Sequence, residues 1–222
     1  MAAGPVSRLI VVPSIITLVL TLIRLTGELF HGPEILFNRS AGGGAAPLGI
    51  SWLAFVFAAY FAVRLQSAGD APAGAGKAIG LTVLSLLVVI AGNLLLFPVG
   101  QGKGSSAAFI SGMAVVIAGL YVMRAGWPGY WKAMLGYAVA ARVPVIVVML
   151  FAIRGNWGTH YDAPPHTMDI LWTSWFNKWV DIGLLPQLFF WTPYTVVFCG
   201  LFGVIVAALR KRRAAAAAVS AG

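Results

Sequence analysis

Four polar residues stand in otherwise apolar stretches of the chain and are the first candidates for chemistry: Arg24, Glu28, Asn93 and Arg142. An ionisable side chain inside a segment that crosses a bilayer costs about 2.5–3.5 kcal/mol on insertion scales, so it is expected to face the protein interior and to have a partner there. Arg24 and Glu28 are four residues apart and share one helix face.

One carboxylate does not neutralise two arginines, and arginine binds anions through its fixed fork of donors. We therefore predict that Arg24, Glu28, Asn93 and Arg142 form a substrate-binding site for a small anionic group such as a carboxylate, a phosphate or a lipid headgroup. The alternative is a structural network in which Glu28 and backbone carbonyls satisfy both arginines.

A second set of candidates lies in the loop at residues 154–166, which contains His160, Tyr161, Asp162 and His166. Imidazole and carboxylate groups transfer protons and bind divalent metals such as Zn²⁺, with further ligands from another loop. The competing interpretation is a polar loop that packs as a cap over the bundle. No complete ligand set is evident, so the sequence assigns no metal and implies no particular cofactor.

Aromatic residues form a stripe just after this loop. Trp172, Trp175, Phe176 and Trp179 recur at helical spacing, with polar residues on the opposite face. The pattern predicts a short amphipathic helix over 167–182 that lies in the headgroup region of the outer leaflet and does not cross the membrane. Three roles remain open for this helix: anchoring the next span, helping a lipid-like substrate to enter a site, and contacting a partner protein.

Composition decides the class of protein. The chain is 60% hydrophobic and only 9% charged, with a mean hydropathy of +0.90, whereas a soluble domain carries about 25% charged residues. Lipid must therefore cover part of the surface. The net charge of +9 does not indicate a nucleic-acid-binding protein, because the basic residues stand singly between apolar runs and cluster only at the C-terminus.

Runs of about 20 mainly apolar residues predict the membrane spans, since that length crosses about 30 Å of hydrocarbon. The fold class is an all-α integral membrane protein, with a six-helix transmembrane bundle and the interfacial helix, in a single domain over 1–213. The predicted spans are 9–30, 48–65, 78–99, 107–123, 131–153 and 186–209. Small residues in the fourth span predict a closely packed, central helix. The alanine-rich residues 214–222 are expected to be a disordered tail.

Basic residues predict the orientation. Nine lie in the segments on the N-terminal side of the membrane and four on the other side, the four being Arg39, Lys103, Arg154 and Lys178. The positive-inside rule then places both termini in the cytoplasm. We expect a bacterial cytoplasmic membrane, with the histidines and most acidic residues at the outer face.

No motif completes a functional assignment, because the sequence contains no HExxH, CxxC or GxSxG pattern and no phosphate-binding loop. The leading interpretation is a transporter-like protein that binds a small anionic solute or a lipid headgroup in an outward-opening cavity. One alternative is an embedded enzyme that acts on a lipid-linked substrate at the outer leaflet. Another is a subunit or assembly factor of a larger membrane complex. The expected partners are membrane lipids, with partner subunits or a second copy of the chain also open.

Overall fold

The structure is a computed structural model that describes residues 5–41, 47–97, 105–165 and 172–220. Every regular element within these ranges is helical. Five of the described helices are long and apolar enough to cross a membrane, and a sixth is apolar but shorter. The predicted class, an all-α integral membrane protein with several membrane-spanning helices, is confirmed.

The helices follow the predicted spans in order. They are α1 (Pro5–Leu29), α2 (Leu53–Ser67), α3 (Ala75–Leu96), α4 (Ser106–Arg124), α5 (Pro128–Gly155) and α6 (Trp175–Ser220). α2 is shorter than the other helices: it has 15 residues and therefore spans only about 22 Å. Residues 48–52, which the sequence placed at the start of this span, form turns and a bend instead.

The segment predicted as a separate interfacial helix differs from the prediction. Its first residues, 167–171, lie outside the described residues. From Trp175 onward the chain is already in α6, which continues through Pro186 without a break. The sequence placed the start of the sixth span at Pro186 because a proline removes a backbone donor. In α6 the helix widens to π-helical turns directly after Pro186 and again directly after Pro193, and such turns accommodate the missing donor.

The C-terminal tail also differs from the prediction. Residues 214–220, expected to be disordered, continue α6 as far as Ser220. Alanine has the highest helix propensity of all residues, so a run of alanines after an established helix extends it. The last two residues lie outside the described part of the chain.

The chain divides into two compact units. Unit 1 contains residues 1–9, 54–136 and 193–222. Within it, α3 and α4 pack through glycines: a Cβ added at Gly112 would lie 2.9 Å from the carbonyl oxygen of Gly92, and one at Gly119 would lie 3.1 Å from the backbone nitrogen of Val89. The close packing predicted for α4 is present, but only 22% of its apolar window is buried. This helix is therefore mostly exposed, not central as the sequence predicted.

Tyr130 belongs to unit 1 and is fully buried. Its hydroxyl lies 3.2 Å from the carbonyl oxygen of Ala58 on α2 and 3.1 Å from that of Gly200 on α6. Gly203 allows this approach, because a side chain there would collide with the Tyr130 hydroxyl. Unit 1 thus joins its helices through glycines and one buried phenol.

Unit 2 contains residues 10–53 and 137–192. Its apolar core combines residues of α5, of α6 and of the loop between them: Val145, Met149, Ala152, Ile153, Tyr161 and Ile182. Trp179 on α6 packs against this core and donates its indole N–H to the carbonyl oxygen of Ile146 on α5, at 3.1 Å. The loop that the sequence singled out is therefore anchored in a hydrophobic core.

Candidate functional site

A polar stripe runs along one face of α1 in unit 2. Thr17, Thr21, Arg24 and Glu28 recur at intervals of four, three and four residues, and all four are buried. The opposite face carries exposed Leu22 and Ile23. A helix in lipid is stable when its apolar face is outside and its polar face is towards the protein. α1 has this arrangement, because Arg24 and Glu28 are buried.

Arg24 and Glu28 form an ion pair within this stripe. The guanidinium Nε donates to Glu28 Oε1 at 2.8 Å, and Nη2 donates to the backbone carbonyl of Asn38 at 3.1 Å. Asn38 lies in the segment that follows α1, so Arg24 attaches this segment to the helix. The helical spacing of four residues brings the two charges together, as the sequence predicted.

His160 reaches the same carboxylate from the loop after α5. Its backbone N–H donates to Glu28 Oε2 at 2.9 Å, and its ring Nδ1 lies 2.6 Å from Oε1 and 2.7 Å from Oε2. The Glu28 side chain is completely buried, whereas 15% of the His160 side chain is exposed. Glu28 is therefore shared between a cation on its own helix and an imidazole that lies 132 residues away in sequence.

Burial and the neighbouring carboxylates act in opposite directions on the pKa of His160. Burial lowers its pKa, and the hydrogen bond to Glu28 and the nearby carboxylates raise it, while the positive charge of Arg24 lowers it further. The net effect is a pKa below the ordinary histidine value. Because Nδ1 lies against a carboxylate, it donates its N–H to Glu28, which leaves Nε2 as the nitrogen that can gain or lose a proton.

Asp162 holds the loop in shape. Its carboxylate accepts the backbone N–H of Gly158 at 2.9 Å, and the backbone N–H and hydroxyl of Thr159 at 2.7 Å each. Gly158 has a positive φ of 69°, a conformation that favours glycine. The loop positions His160 through these bonds, and Asp162 acts as a structural residue of the turn.

Tyr161 joins the loop to α1. Its ring belongs to the apolar core of unit 2, and its hydroxyl donates to the backbone carbonyl of Thr21 at 3.3 Å. Burial raises the pKa of this phenol well above its usual value, so Tyr161 stays protonated and acts as a donor. Its ring also lies 3.8 Å from the ring of His160, measured between centroids.

Arg142 lies elsewhere in unit 2. It is buried on α5, and its guanidinium stacks over the ring of Trp191 on α6 at 5.1 Å. Cation–π contact of this kind stabilises a guanidinium that has been removed from water. Among the described residues, the side chain of Glu28 is bonded by Arg24 and His160, so Arg142 is not part of that ion pair.

Two more predicted residues are Asn93 and His166. Asn93 belongs to α3 of unit 1, where its amide donates to the carbonyl oxygen of Val89 one turn earlier, at 3.0 Å. His166 lies outside the described residues. Within the described ranges, no group of three His, Cys, Asp or Glu side chains is close enough to hold a metal ion.

The sequence argument overlooked three residues of unit 2. Thr17 bonds the Tyr137 hydroxyl at 2.9 Å, Thr21 bonds the Thr17 carbonyl at 2.9 Å, and Gln187 is buried on α6. The two threonines were detectable, because they continue the Arg24–Glu28 face at helical spacing. Gln187 was detectable as an amide inside an apolar span.

Comparisons with protein-family models, with curated proteins and with solved structures found no match to this chain. The functional argument therefore depends on the cluster of Arg24, Glu28 and His160.

Proposed function

We propose that this multi-pass membrane protein is transporter-like and binds a small anionic solute, or the anionic headgroup of a lipid, in a cavity that opens at the outer side. Arg24 is the proposed cationic contact, and Arg142 is a second buried guanidinium in the same unit. Asn93, predicted from the sequence to complete the site, remains a prediction.

The observation that carries this proposal is the sharing of Glu28 between Arg24 and His160. With a neutral His160, the charges of Arg24 and Glu28 cancel. A proton taken up by the imidazole adds one positive charge to a buried cluster, and an added buried charge is costly without a counter-ion. An anion that binds beside Arg24 would supply the counter-charge, so proton uptake and anion binding would favour each other.

The test measures anion binding at two pH values. Purified protein is titrated with inorganic phosphate and with acetate, and the thermal unfolding midpoint is followed at about pH 5.5 and about pH 7.5, on either side of the ordinary histidine pKa. A parallel series uses nanodiscs of phosphatidylcholine with or without phosphatidylglycerol. Stabilisation by the free ions indicates a solute site, and stabilisation by phosphatidylglycerol alone indicates a headgroup site.

We expect the stabilisation to be larger at the lower pH and to be lost in Arg24→Gln. Arg24→Lys keeps the charge without the planar fork and should retain part of the effect. Arg64→Gln removes an exposed arginine on α2, outside the cluster, and should bind as the wild type does. The absence of any anion-dependent stabilisation of the wild type at both pH values would reject the proposal.

A second candidate function is favoured by the geometry of one pair. A carboxylate at Nδ1 orients the imidazole so that Nε2 acts as a general base, the arrangement that many hydrolases use. The His160 side chain is 15% exposed, whereas that of Glu28 is completely buried. An enzyme acting on a lipid-linked substrate would show hydrolysis of a fluorogenic phospholipid that is lost in His160→Gln and kept in His31→Gln. The third class of function is a subunit or assembly factor of a larger complex. No contact among the described residues favours it.

A further inference from the structure

An apolar groove lies on the exposed face of α1, opposite the polar stripe. Its walls include Leu22, Ile23 and Phe30, and its floor is formed by Gly27, Gly32 and Phe37. The groove has a volume of about 510 Å³. We call this feature the α1 groove.

The end of α1 creates the groove. The backbone N–H of Gly32 bonds the carbonyl oxygen of Gly27 at 2.8 Å, and His31 between them has a positive φ of 55°. This is a Schellman-type helix end, after which the chain reverses direction. Phe37 then lies across Gly27, where any side chain would collide with its ring, and across Gly32, where a Cβ would lie 2.6 Å from it. Two glycines and one aromatic ring thus form a concave surface where a helix alone would present a convex one.

Hydrocarbon is the medium that surrounds this surface. The groove belongs to a membrane-spanning helix, and its walls are about half exposed: 47% for Leu22 and 46% for Ile23, with 82% for Phe30 at the rim. The polar side chains Thr17, Thr21, Arg24 and Glu28 are on the buried face of α1. The bilayer therefore supplies the material that covers the groove.

The chemistry of the groove favours a lipid chain over a neighbouring helix. Helices associate in membranes through small residues that allow close backbone approach and through polar side chains. The α1 groove offers little of either, because its two glycines are already covered by the ring of Phe37. Its lining is almost wholly apolar, with Thr26 as the one hydroxyl. A flexible hydrocarbon chain fills such a concave surface without requiring polar partners.

Charged residues at the same end of α1 fit a phospholipid headgroup. Arg39 and Glu34 are both exposed on the segment that carries Phe37. Arginine binds phosphate through its donor fork, and a carboxylate suits a quaternary or primary ammonium. One exposed positive and one exposed negative side chain on this segment are complementary to the two charges of a zwitterionic headgroup.

We propose that the α1 groove holds one acyl chain of a zwitterionic phospholipid as a resident lipid that exchanges more slowly than the lipids around it. The inference does not depend on the proposed anion-binding function, because the groove and the Arg24–Glu28–His160 cluster lie on opposite faces of α1.

The experiment distinguishes a resident lipid from ordinary surrounding lipid by saturation. The protein is reconstituted into phosphatidylcholine vesicles that contain increasing fractions of a phosphatidylcholine with a photoreactive diazirine in one acyl chain. After irradiation, adducts are mapped by mass spectrometry at Leu22–Phe37 and at a control patch on the same helix, Val12 and Ile15, which are more exposed than Leu22 and Ile23. We expect groove adducts to saturate at a low fraction of the probe lipid, and control adducts to rise in proportion to it.

Variants link the signal to the groove. Thr26→Trp fills the groove and should reduce groove adducts several-fold, whereas Val12→Trp should leave them unchanged. Ile23→Trp serves the same purpose if Thr26→Trp does not fold. Proportional labelling at both positions would overturn the proposal. So would efficient cross-linking between two copies of a Phe30→Cys variant in a Cys199→Ser background, because a second copy would then occupy the groove.

Discussion

The carboxylate of Glu28 binds both the backbone N–H and the ring Nδ1 of His160, at 2.9 Å and 2.6 Å, and the two residues are 132 positions apart in sequence. This relationship joins the C-terminal end of α1 to the loop between α5 and α6. It also places a proton-binding ring against a buried ion pair. The predictions below test this cluster, the loop that carries it, and the packing and orientation of the helices.

Removing the charge of Glu28 should destabilise the protein strongly. Glu28→Gln leaves Arg24 buried without its carboxylate, and breaking a buried ion pair in this way costs about 3–5 kcal/mol. Glu34→Gln changes an exposed carboxylate and should alter the free energy of unfolding by less than about 0.5 kcal/mol. Equilibrium unfolding in mixed micelles measures both. Equal stability of the two variants would show that the ion pair contributes nothing.

Stability should fall as the pH falls through the ordinary histidine pKa. Burial lowers the pKa of His160 in the folded protein, so the unfolded chain binds its proton first and is favoured at acid pH. The unfolding midpoint should therefore be lower at about pH 5.5 than at about pH 7.5, since the unfolded imidazole titrates near 6.5. His160→Gln should flatten this part of the profile, and His31→Gln, at an exposed site, should not. An unchanged slope in His160→Gln would assign the effect to other groups.

Asp162 should control the order of the loop. Asp162→Ala removes the acceptor for two backbone N–H groups and one hydroxyl, at a cost of about 2–3 kcal/mol on the scale of hydrogen bonds to charged groups. Hydrogen exchange at residues 158–162 should accelerate, and Asp162→Asn should fall between wild type and Asp162→Ala. Protection that is unaffected in Asp162→Ala would mean that the core contacts of Tyr161 alone order the loop.

The glycine contact between α3 and α4 should not tolerate a side chain. Gly112→Ala places a Cβ 2.8 Å from Leu96 and 2.9 Å from the carbonyl oxygen of Gly92, and such overpacking costs about 1–3 kcal/mol. Gly80→Ala on α3 meets nothing within 4 Å and should be neutral, or stabilising by up to about 1 kcal/mol through helix propensity. Thermal unfolding of the two variants in the same detergent gives the comparison. The prediction fails if they unfold alike.

Labelling of single cysteines tests the orientation that the basic residues predict. Cys199 is buried, so it should react slowly and give a low background. Asn156→Cys, in an exposed part of the loop, should react with a membrane-impermeant maleimide on intact cells. Arg213→Cys should react only after the cells are opened. The reverse pattern would invert the topology.

Residue types and their spacing determined the helices of this protein and one of its ion pairs. The length and apolarity of each run predicted the helices, because a bilayer demands about 20 such residues, and four of the predicted spans agree with the structure to within a few residues. The pairing of Arg24 with Glu28 followed from their spacing on one helix face. The continuity of Thr17 and Thr21 with that face was present in the same pattern and could have been included.

Only the tertiary structure decided which groups meet across long separations. Periodicity shows which face a side chain occupies but not its partner, so neither the binding of His160 to Glu28 nor the stacking of Arg142 on Trp191 could be derived from spacing. The sequence also did not reveal that α6 continues through Pro186. This continuation depends on the widening of neighbouring turns, which accommodates the backbone N–H that proline lacks. The α1 groove arises in the same way, since the chain must first turn back at His31 before Phe37 can lie on Gly27.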